Sequence, residues 1–514
     1  MNEGSIGCSF LVPPMNMSIT EGGSCHAFFV SNNWSSPVTL HLEFAGRDLS
    51  LDGAVWVPYV EEGVLKHKKL EGPIPPESGA VVFVSKAKDS SAQKHWVDCP
   101  EGVVPALDDL NTIDGSAFGS ASFMTTDVPV SIYSIYPYGG ASSVKPSATL
   151  LLPTSSFRKN YVAASAWGGL NYGWGRGVLP NSSPGATPSG VPTLQVAAIE
   201  DGTSVSLLTK VDIGGRPGGI LDTPRNSVVS YELNRGEVLQ IAQGEELTGS
   251  ALESTKPVAV FGGHTGMLVP SDILAADAEH FQVPPVSAWG NEYAVIPAPN
   301  RVNLVEQKQG RARDPSVTRI VAAVDGTELV YEPYPPEGAP HALRSGEFAA
   351  FYTDAPFVVR SQDSDHPIFL MNVMTGANAS STTLGDPEVS VPVPTQQWLD
   401  DYRFFSDTTY QLSAAFVARR RSGGVFHDVE LDCAGALANW TPIGDDFEWT
   451  YVELTRHSKP QTYPAGTCAD GPHRIRSDGP FTFSVWGLSY YASYEYTGGT
   501  GLRPLTEITI PAVK

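Results

Sequence analysis

Lys256-Pro-Val-Ala-Val-Phe261 returns three more times along the chain, as Asp127-Val-Pro-Val-Ser-Ile-Tyr133, His366-Pro-Ile-Phe-Leu-Met371 and Gly479-Pro-Phe-Thr-Phe-Ser-Val485. The copies lie about 110 to 130 residues apart, a domain-sized period, so one building block is used four times. Each copy is a proline leading an apolar run and reads as the closing strand of its unit.

Other echoes keep step with it. Pro153, Phe157 and Tyr161 match Pro285, Trp289 and Tyr293, and again Pro394, Trp398 and Tyr402. Leu194-Gln-Val-Ala-Ala-Ile-Glu-Asp-Gly-Thr203 matches Arg319-Ile-Val-Ala-Ala-Val-Asp-Gly-Thr327, and Asn234-Arg-Gly-Glu237 matches Arg344-Ser-Gly-Glu347. A unit therefore runs Pro-x3-aromatic-x3-Tyr, strand, Asp-Gly-Thr turn, strand, Gly-Glu, further strands and the closing strand. Apolar residues alternate in Val38-Thr-Leu-His-Leu-Glu-Phe44, Val228-Val-Ser-Tyr-Glu-Leu233 and Phe481-Thr-Phe-Ser-Val-Trp486, as in half-buried strands. The best helix candidate is Ser271-Asp-Ile-Leu-Ala-Ala-Asp-Ala-Glu-His280, with Ser271 as its N-cap.

These patterns predict an all-β protein, a tandem array of four β-sandwich-like units packed through their aromatic and proline segments, with a propeller-like arrangement as the alternative. Units of about 110 residues are too long for single propeller blades of about 40 to 45. The expected boundaries are residues 1–149, a divergent first unit lacking the Asp-Gly-Thr turn, then 150–275, 276–385 and 386–514. Phe157, Trp289 and Trp398 read as wedges between units.

Composition agrees. The chain has 514 residues with 50 Gly and 42 Pro, enough for several turn-rich cores. A net charge of −22 argues against nucleic acid, which is bound through a basic surface. No apolar run of about 18 residues predicts membrane insertion. Of five cysteines, Cys433 and Cys468 fall in one unit and read as a disulfide, with a second pair among Cys8, Cys25 and Cys99 and one left over. Disulfides place a chain outside the cytosol.

At Lys256-Pro-Val-Ala-Val-Phe-Gly-Gly-His264 and His280-Phe-Gln-Val-Pro-Pro-Val-Ser-Ala-Trp-Gly290 the sequence resembles the IgGFc-binding protein N-terminal domain family. Ile135-Tyr-Pro-Tyr-Gly-Gly140, Ile199-Glu-Asp-Gly-Thr203, Gly385-Asp-Pro387 and Ser493-Tyr-Glu-Tyr-Thr-Gly-Gly499 carry the likeness from about Gly7 to the C-terminus. It looks most like the versions in secreted or surface proteins of myxobacteria, so Met1 reads as the trimmed edge of a longer precursor. Bacterial relatives often carry clustered cysteines where this chain has the cysteine-free stretch from Thr265 to Glu279. The resemblance implies a noncatalytic, secreted or cell-surface binding or adhesion protein with a protein or glycan partner, in a larger surface assembly. It does not carry antibody binding over to this chain, and it marks no catalytic residue.

The residues themselves offer little catalytic chemistry. Zinc-protease, nucleophile-elbow, phosphate-loop and EF-hand spacings are missing. Asp201-Gly-Thr and Asp325-Gly-Thr read as turns whose Asp bonds its own backbone. His264 and His280 flank Asp272, Asp277 and Glu279, a set from which a metal site can be drawn, although His264 reads equally as a strand-end cap. No cofactor is expected except calcium, for which Asp363 and Asp365 in Asp363-Ser-Asp-His366, and the stretch Asp108-Asp-Leu-Asn-Thr-Ile-Asp114, are the places to look. Carboxylate pairs for a secreted hydrolase, the rival function, do not stand out among 55 acidic residues; a structural spacer is the third reading. The loop Ala166-Trp-Gly-Gly-Leu-Asn-Tyr-Gly-Trp-Gly-Arg-Gly-Val178 is the candidate ligand site, through Trp167, Tyr172, Trp174 and Arg176. These are hot-spot residue types on a loop, where binding residues concentrate, and packing against the neighbouring unit is the alternative.

Overall fold

The computed structural model describes residues 4–15, 23–61, 64–88, 95–109, 112–143, 145–168, 190–271, 275–306, 314–380 and 382–512. The protein is all-β and its strands pair antiparallel in five sheets. Each unit is organised by its closing strand. Ser122–Tyr136, Ala251–Met267 and Gly471–Ser489 are 15, 17 and 19 residues long, against the usual five or six. Such a strand serves two sheet halves: residues 251–254 ladder with 205–208, while 258–264 ladder with 192–198. The proline lies between the halves, where a residue without an N–H does no harm. Register shifts beside it, from Arg158 opposite Val258 to Asn160 opposite Glu253, and from Leu399 opposite Phe481 to Asp401 opposite Arg476. In the third unit the strand is cut into Phe357–Ser361 and Ile368–Met374. There two four-stranded sheets enclose Ile320, Leu329, Phe351, Phe357 and Leu370, a small sandwich.

The echoed turns recur because they hold each other. Asp201 Oδ1 accepts from Arg235 N at 2.9 Å and Asp325 Oδ1 from Ser345 N at 3.0 Å. Glu237 and Glu347 then accept from Asn234 N and Arg344 N, closing the partner loop on itself. The Asp of Asp-Gly-Thr thus caps the Gly-Glu loop, where the sequence suggested a bond to its own backbone. Gly202 and Gly326 supply the positive φ the turn needs, 59° and 71°.

Pro-x3-aromatic-x3-Tyr is equally repetitive. Pro153, Pro285 and Pro394 start the 3-10 turns Thr154–Ser156, Val286–Ala288 and Thr395–Gln397. The rings that follow are buried at unit junctions. Phe157 shares a core with Ala259 and Phe261, Trp289 stacks on Phe369 at 5.2 Å within the cluster joining the second and third units, and Trp398 packs between Val358 and Phe447. The tyrosines reach the closing strand just after its proline: Tyr161 donates to Val258 O at 2.7 Å, Tyr293 to Ile368 O at 2.7 Å and Tyr402 to Phe481 O at 2.6 Å. Each phenol oxygen also accepts the N–H three residues before it, from Arg158, Gly290 and Leu399. Burial holds all three phenols neutral, raising their pKa. Tyr293→Phe leaves a buried carbonyl and a buried N–H without this partner. It is expected to destabilise the protein by about 1–3 kcal/mol, read as the shift of the urea unfolding curve; a change no larger than that of an exposed Tyr334→Phe control would show that the bonds are dispensable.

After each closing strand the chain turns back into a short inner strand: Ser147–Leu151, Asp277–Val283, Glu388–Ser390 and Ala492–Thr497. These four meet in cyclic order, first on second, second on third, third on fourth and fourth on first. Ser147 Oγ accepts from His280 N, Gln282 Oε1 from Leu152 N, Glu279 Oε1 from Val389 N, and Glu495 Oε1 from Ser390 Oγ. The tandem units therefore close into a propeller-like ring around an axis of inner strands. The C-terminal segment ties the ring from below. Thr500 pairs with Ser5, Arg503 N reaches Gln397, Leu505 N reaches Ser287, and Ile510 exchanges two bonds with Asn160. It thus visits the fourth, third and second Pro-aromatic segments in turn. Ala117–Ser120 of the first unit adds to the edge strand Glu237–Ala242 of the second.

The helix expected over 271–280 is a correction. From Asp277 onward this stretch is strand, laddered on the closing strand through Glu279 opposite His264 and His280 opposite Gly263. A ladder partner outweighed the N-cap signal, and Asp277, Glu279 and Phe281 alternate as well as they spiral.

Candidate functional site

The axis is where chemistry accumulates. On Asp277–Val283 the residues Asp277, Glu279 and Phe281 share a face, and cross-strand pairing puts His264 beside Glu279 on it. The third inner strand and the residues leading into it bring Glu388 and Asp386, and the fourth inner strand brings Glu495. All five carboxyls are at most 2% exposed. Donors reach some of their oxygens: Ala278 N bonds Asp277 Oδ1 at 2.8 Å, Val389 N bonds Glu279 Oε1 at 3.1 Å, Ala377 N bonds Asp386 Oδ1 at 3.3 Å and Ser390 Oγ bonds Glu495 Oε1 at 2.8 Å.

Burial dominates their protonation. It pushes Glu279 up to about 8 and Asp386 up to about 7. Asp277, Glu388 and Glu495 are raised well above the usual carboxyl range, first by burial and then by neighbouring carboxylates, Asp386 and Glu279 at Asp277 and Glu279 at Glu388 and Glu495. The positive fields of Lys145 and Arg301 oppose this at Asp386, and that of Lys145 at Asp277. Burial lowers the neighbouring His264 and His280 to about 3, so both rings are neutral. This is a proton-rich interior. Beside Glu495 lies a cavity of about 70 Å³, also lined by Leu152, Phe281, Trp289, Val391 and Tyr496, small beside the roughly 300–1,000 Å³ of ligand pockets.

The residues singled out from sequence are scattered. Trp167 is 1% exposed, with its Nε1–H on Ser271 Oγ at 3.2 Å and its ring near the Arg319 guanidinium. The ring is buried among its neighbours. Tyr172, Trp174 and Arg176 lie outside the described residues. Asp363 and Asp365 occupy the turn that cuts the third closing strand; Asp363 Oδ1 accepts from Asp365 N at 2.9 Å and is 2.7 Å from His366 Nδ1. Asp108 faces Lys88 at 3.1 Å. Cys433 pairs with Cys468, the second disulfide is Cys25–Cys99, and Cys8 is the leftover thiol. Asp432, Cys433 and His473 converge as metal ligands would, but the Cys433 sulfur is spent in its disulfide. His264 and His280 do not converge: His280 turns to the opposite face, 2.7 Å from Gln195 Oε1. Asp272 lies outside the described residues.

Asp386, Glu388 and Glu495 escaped the sequence reading. Their signal was present, since Asp386 stands in Gly385-Asp-Pro387 and Glu495 in Ser493-Tyr-Glu-Tyr-Thr-Gly-Gly499. These two motifs of the family likeness meet the His264 and His280 stretches at the axis.

A profile of the family described as IgGFc binding protein matches residues 147–487, from the first inner strand to the end of the last closing strand. No curated protein matches the chain.

Proposed function

The chain belongs to the IgGFc-binding protein family, and from that premise we propose that it is a noncatalytic binding protein that works outside the cell and recognises a protein partner. The family match carries this reading. Two disulfides support the location, and no helix among the described residues is long and apolar enough to cross a membrane. The carboxyl cluster supports the noncatalytic part, because its members are sealed from any substrate. With the axis filled by the inner strands, a partner meets the loops at the rim of the ring. The loop carrying Tyr172, Trp174 and Arg176 is the proposed contact, with the buried Trp167 as its anchor.

The test uses the intact chain on a biosensor against purified secreted proteins, an Fc fragment among them, and on a glycan array. Saturable binding of a protein, weakened at least about tenfold by Tyr172→Ala, Trp174→Ala and Arg176→Ala together, is the expected result. Binding confined to glycans overturns the partner class, and protein binding unchanged in the triple variant overturns the site.

A further inference from the structure

We propose that the axial carboxyls Asp277, Glu279, Asp386 and Glu388, with Glu495 adjoining, form a binding site for a hard divalent cation of the calcium type, which ties three of the inner strands together at the axis.

The first ground is unmet coordination. Glu388 is fully buried and neither of its carboxyl oxygens receives a hydrogen bond; Asp277 Oδ2 is in the same condition. The donors that reach the cluster are committed to other oxygens, as the bonds of Ala278, Val389, Ala377 and Ser390 show. The Glu279 and Glu388 carboxyls come within hydrogen-bonding reach of each other, two acceptors face to face. A proton or a cation belongs between them, since an ionised carboxylate buried without either is prohibitively costly.

The second ground is not acidic. His264 is 1% exposed and on the face of its cross-strand neighbour Glu279. Its Nδ1 accepts from Gly266 N at 3.0 Å, which puts the ring proton on Nε2, and Nε2 has no partner. An Nε2–H donor beside a carboxylate suits the outer shell of a metal site, where imidazoles orient ligand oxygens or bound water.

Charge is the third. Arg301, whose field reaches Asp386, is committed to Asp314 and Thr375 through four bonds of its guanidinium. Lys145 is the other cation whose field reaches the set, at Asp277 and Asp386. An all-oxygen donor set drawn from three inner-strand segments suits calcium, whose coordination is flexible. Among the described residues no three of these carboxyls bring oxygens within 4.8 Å of one another. A cation that displaces their protons would draw the set together.

The test takes the intact chain, stripped with EDTA, at about pH 7.5. Calorimetric titration is expected to show one calcium per chain, at the roughly 10⁻⁴–10⁻³ M affinity of extracellular sites, with a rise in melting temperature. Glu388→Gln is expected to weaken calcium binding at least about tenfold while melting no lower than the native chain in EDTA; Asp363→Asn, in an exposed turn, should bind as the native chain does. Absence of binding at about 10 mM calcium, or equal binding by Glu388→Gln, overturns the proposal: the acids are then simply protonated, or the cation is held loosely by the acidic surface. Should Glu388→Gln not fold, terbium decides. Tyr410, which feels the charges of Asp277 and Glu388, should sensitise terbium emission that one equivalent of calcium displaces, and the lack of such emission overturns the site.

Discussion

Arg319→Met is expected to destabilise the protein by about 3–5 kcal/mol, the cost of breaking a buried ion pair from one side. Arg319 is fully buried on the third unit's strand Ser316–Ala322 and reaches into the second unit. Its Nη2 grips Glu246 Oε1 at 2.8 Å and Oε2 at 2.6 Å, while Nη1 donates to Ser165 O at 2.9 Å and Ala166 O at 2.7 Å. The guanidinium also lies 4.9 Å from the centre of the Phe348 ring. Methionine matches the volume but strands the Glu246 carboxylate, itself only 7% exposed, and two buried carbonyls. The double variant Arg319→Met, Glu246→Leu removes the stranded charge and should recover most of the loss, because well-packed apolar pairs often replace buried ion pairs at little cost. Urea unfolding of both single variants and the double variant gives the coupling. Equal destabilisation in the single and the double variant would show that packing, and not the ion pair, joins the two units.

Arg319 also marks how far the sequence could be read. Aligning Leu194-Gln-Val-Ala-Ala with Arg319-Ile-Val-Ala-Ala sets an arginine against a leucine at one position of one strand. That substitution signals that the position faces something different in the third unit, but the partner Glu246 lies 73 residues away and no periodicity names it. The strand, its turn and the closing strand were legible because each rests on local rules: alternation, glycine at positive φ, a proline that cannot join a ladder. Ring closure was not. It depends on inner strands such as Glu388–Ser390, three residues long, too short to show a period. The axial site was illegible for a related reason. An acidic residue in sequence reads as surface, and only the packing of the inner-strand segments that carry Asp277, Asp386 and Glu495 makes them interior. Trp167 is the reverse case: its type marks a contact residue, and only the packing shows it buried.

With divalent cations removed, the protein is expected to be most stable at about pH 4–5, well below neutrality, and the sign follows from which state holds more protons. Glu279 and Asp386 rise from 4.5 and 3.8 to about 8 and about 7 on folding, and burial raises Asp277, Glu388 and Glu495 further. Above pH 6.5 the folded chain keeps these protons and the unfolded chain has lost them, so stability falls as pH rises, by about 1.4 kcal/mol per pH unit for each proton retained. His26, His264 and His280 work the other way. Burial lowers each from 6.5 to about 3, so between those values the unfolded chain binds more protons and stability falls as pH falls. Between about 4.5 and 6.5 the two sets oppose each other, but five acids outweigh three histidines, so stability still falls as pH rises, less steeply than above 6.5; below about 4 the acids are protonated in both states and the histidines dominate. Acids held low by their partners, Glu43 beside Arg235 and Asp52 beside Lys69, add to the acid limb. Melting temperatures in EDTA should therefore be highest near pH 4.5 and lower at both pH 3 and pH 8. A maximum at pH 8 would mean that the axial carboxyls are ionised without cost. Adding calcium separates the two accounts of those acids. If a cation takes the place of the protons, the alkaline limb rises toward the acid maximum, and it rises less in Glu388→Gln; if protons alone satisfy the cluster, calcium leaves the limb where it was.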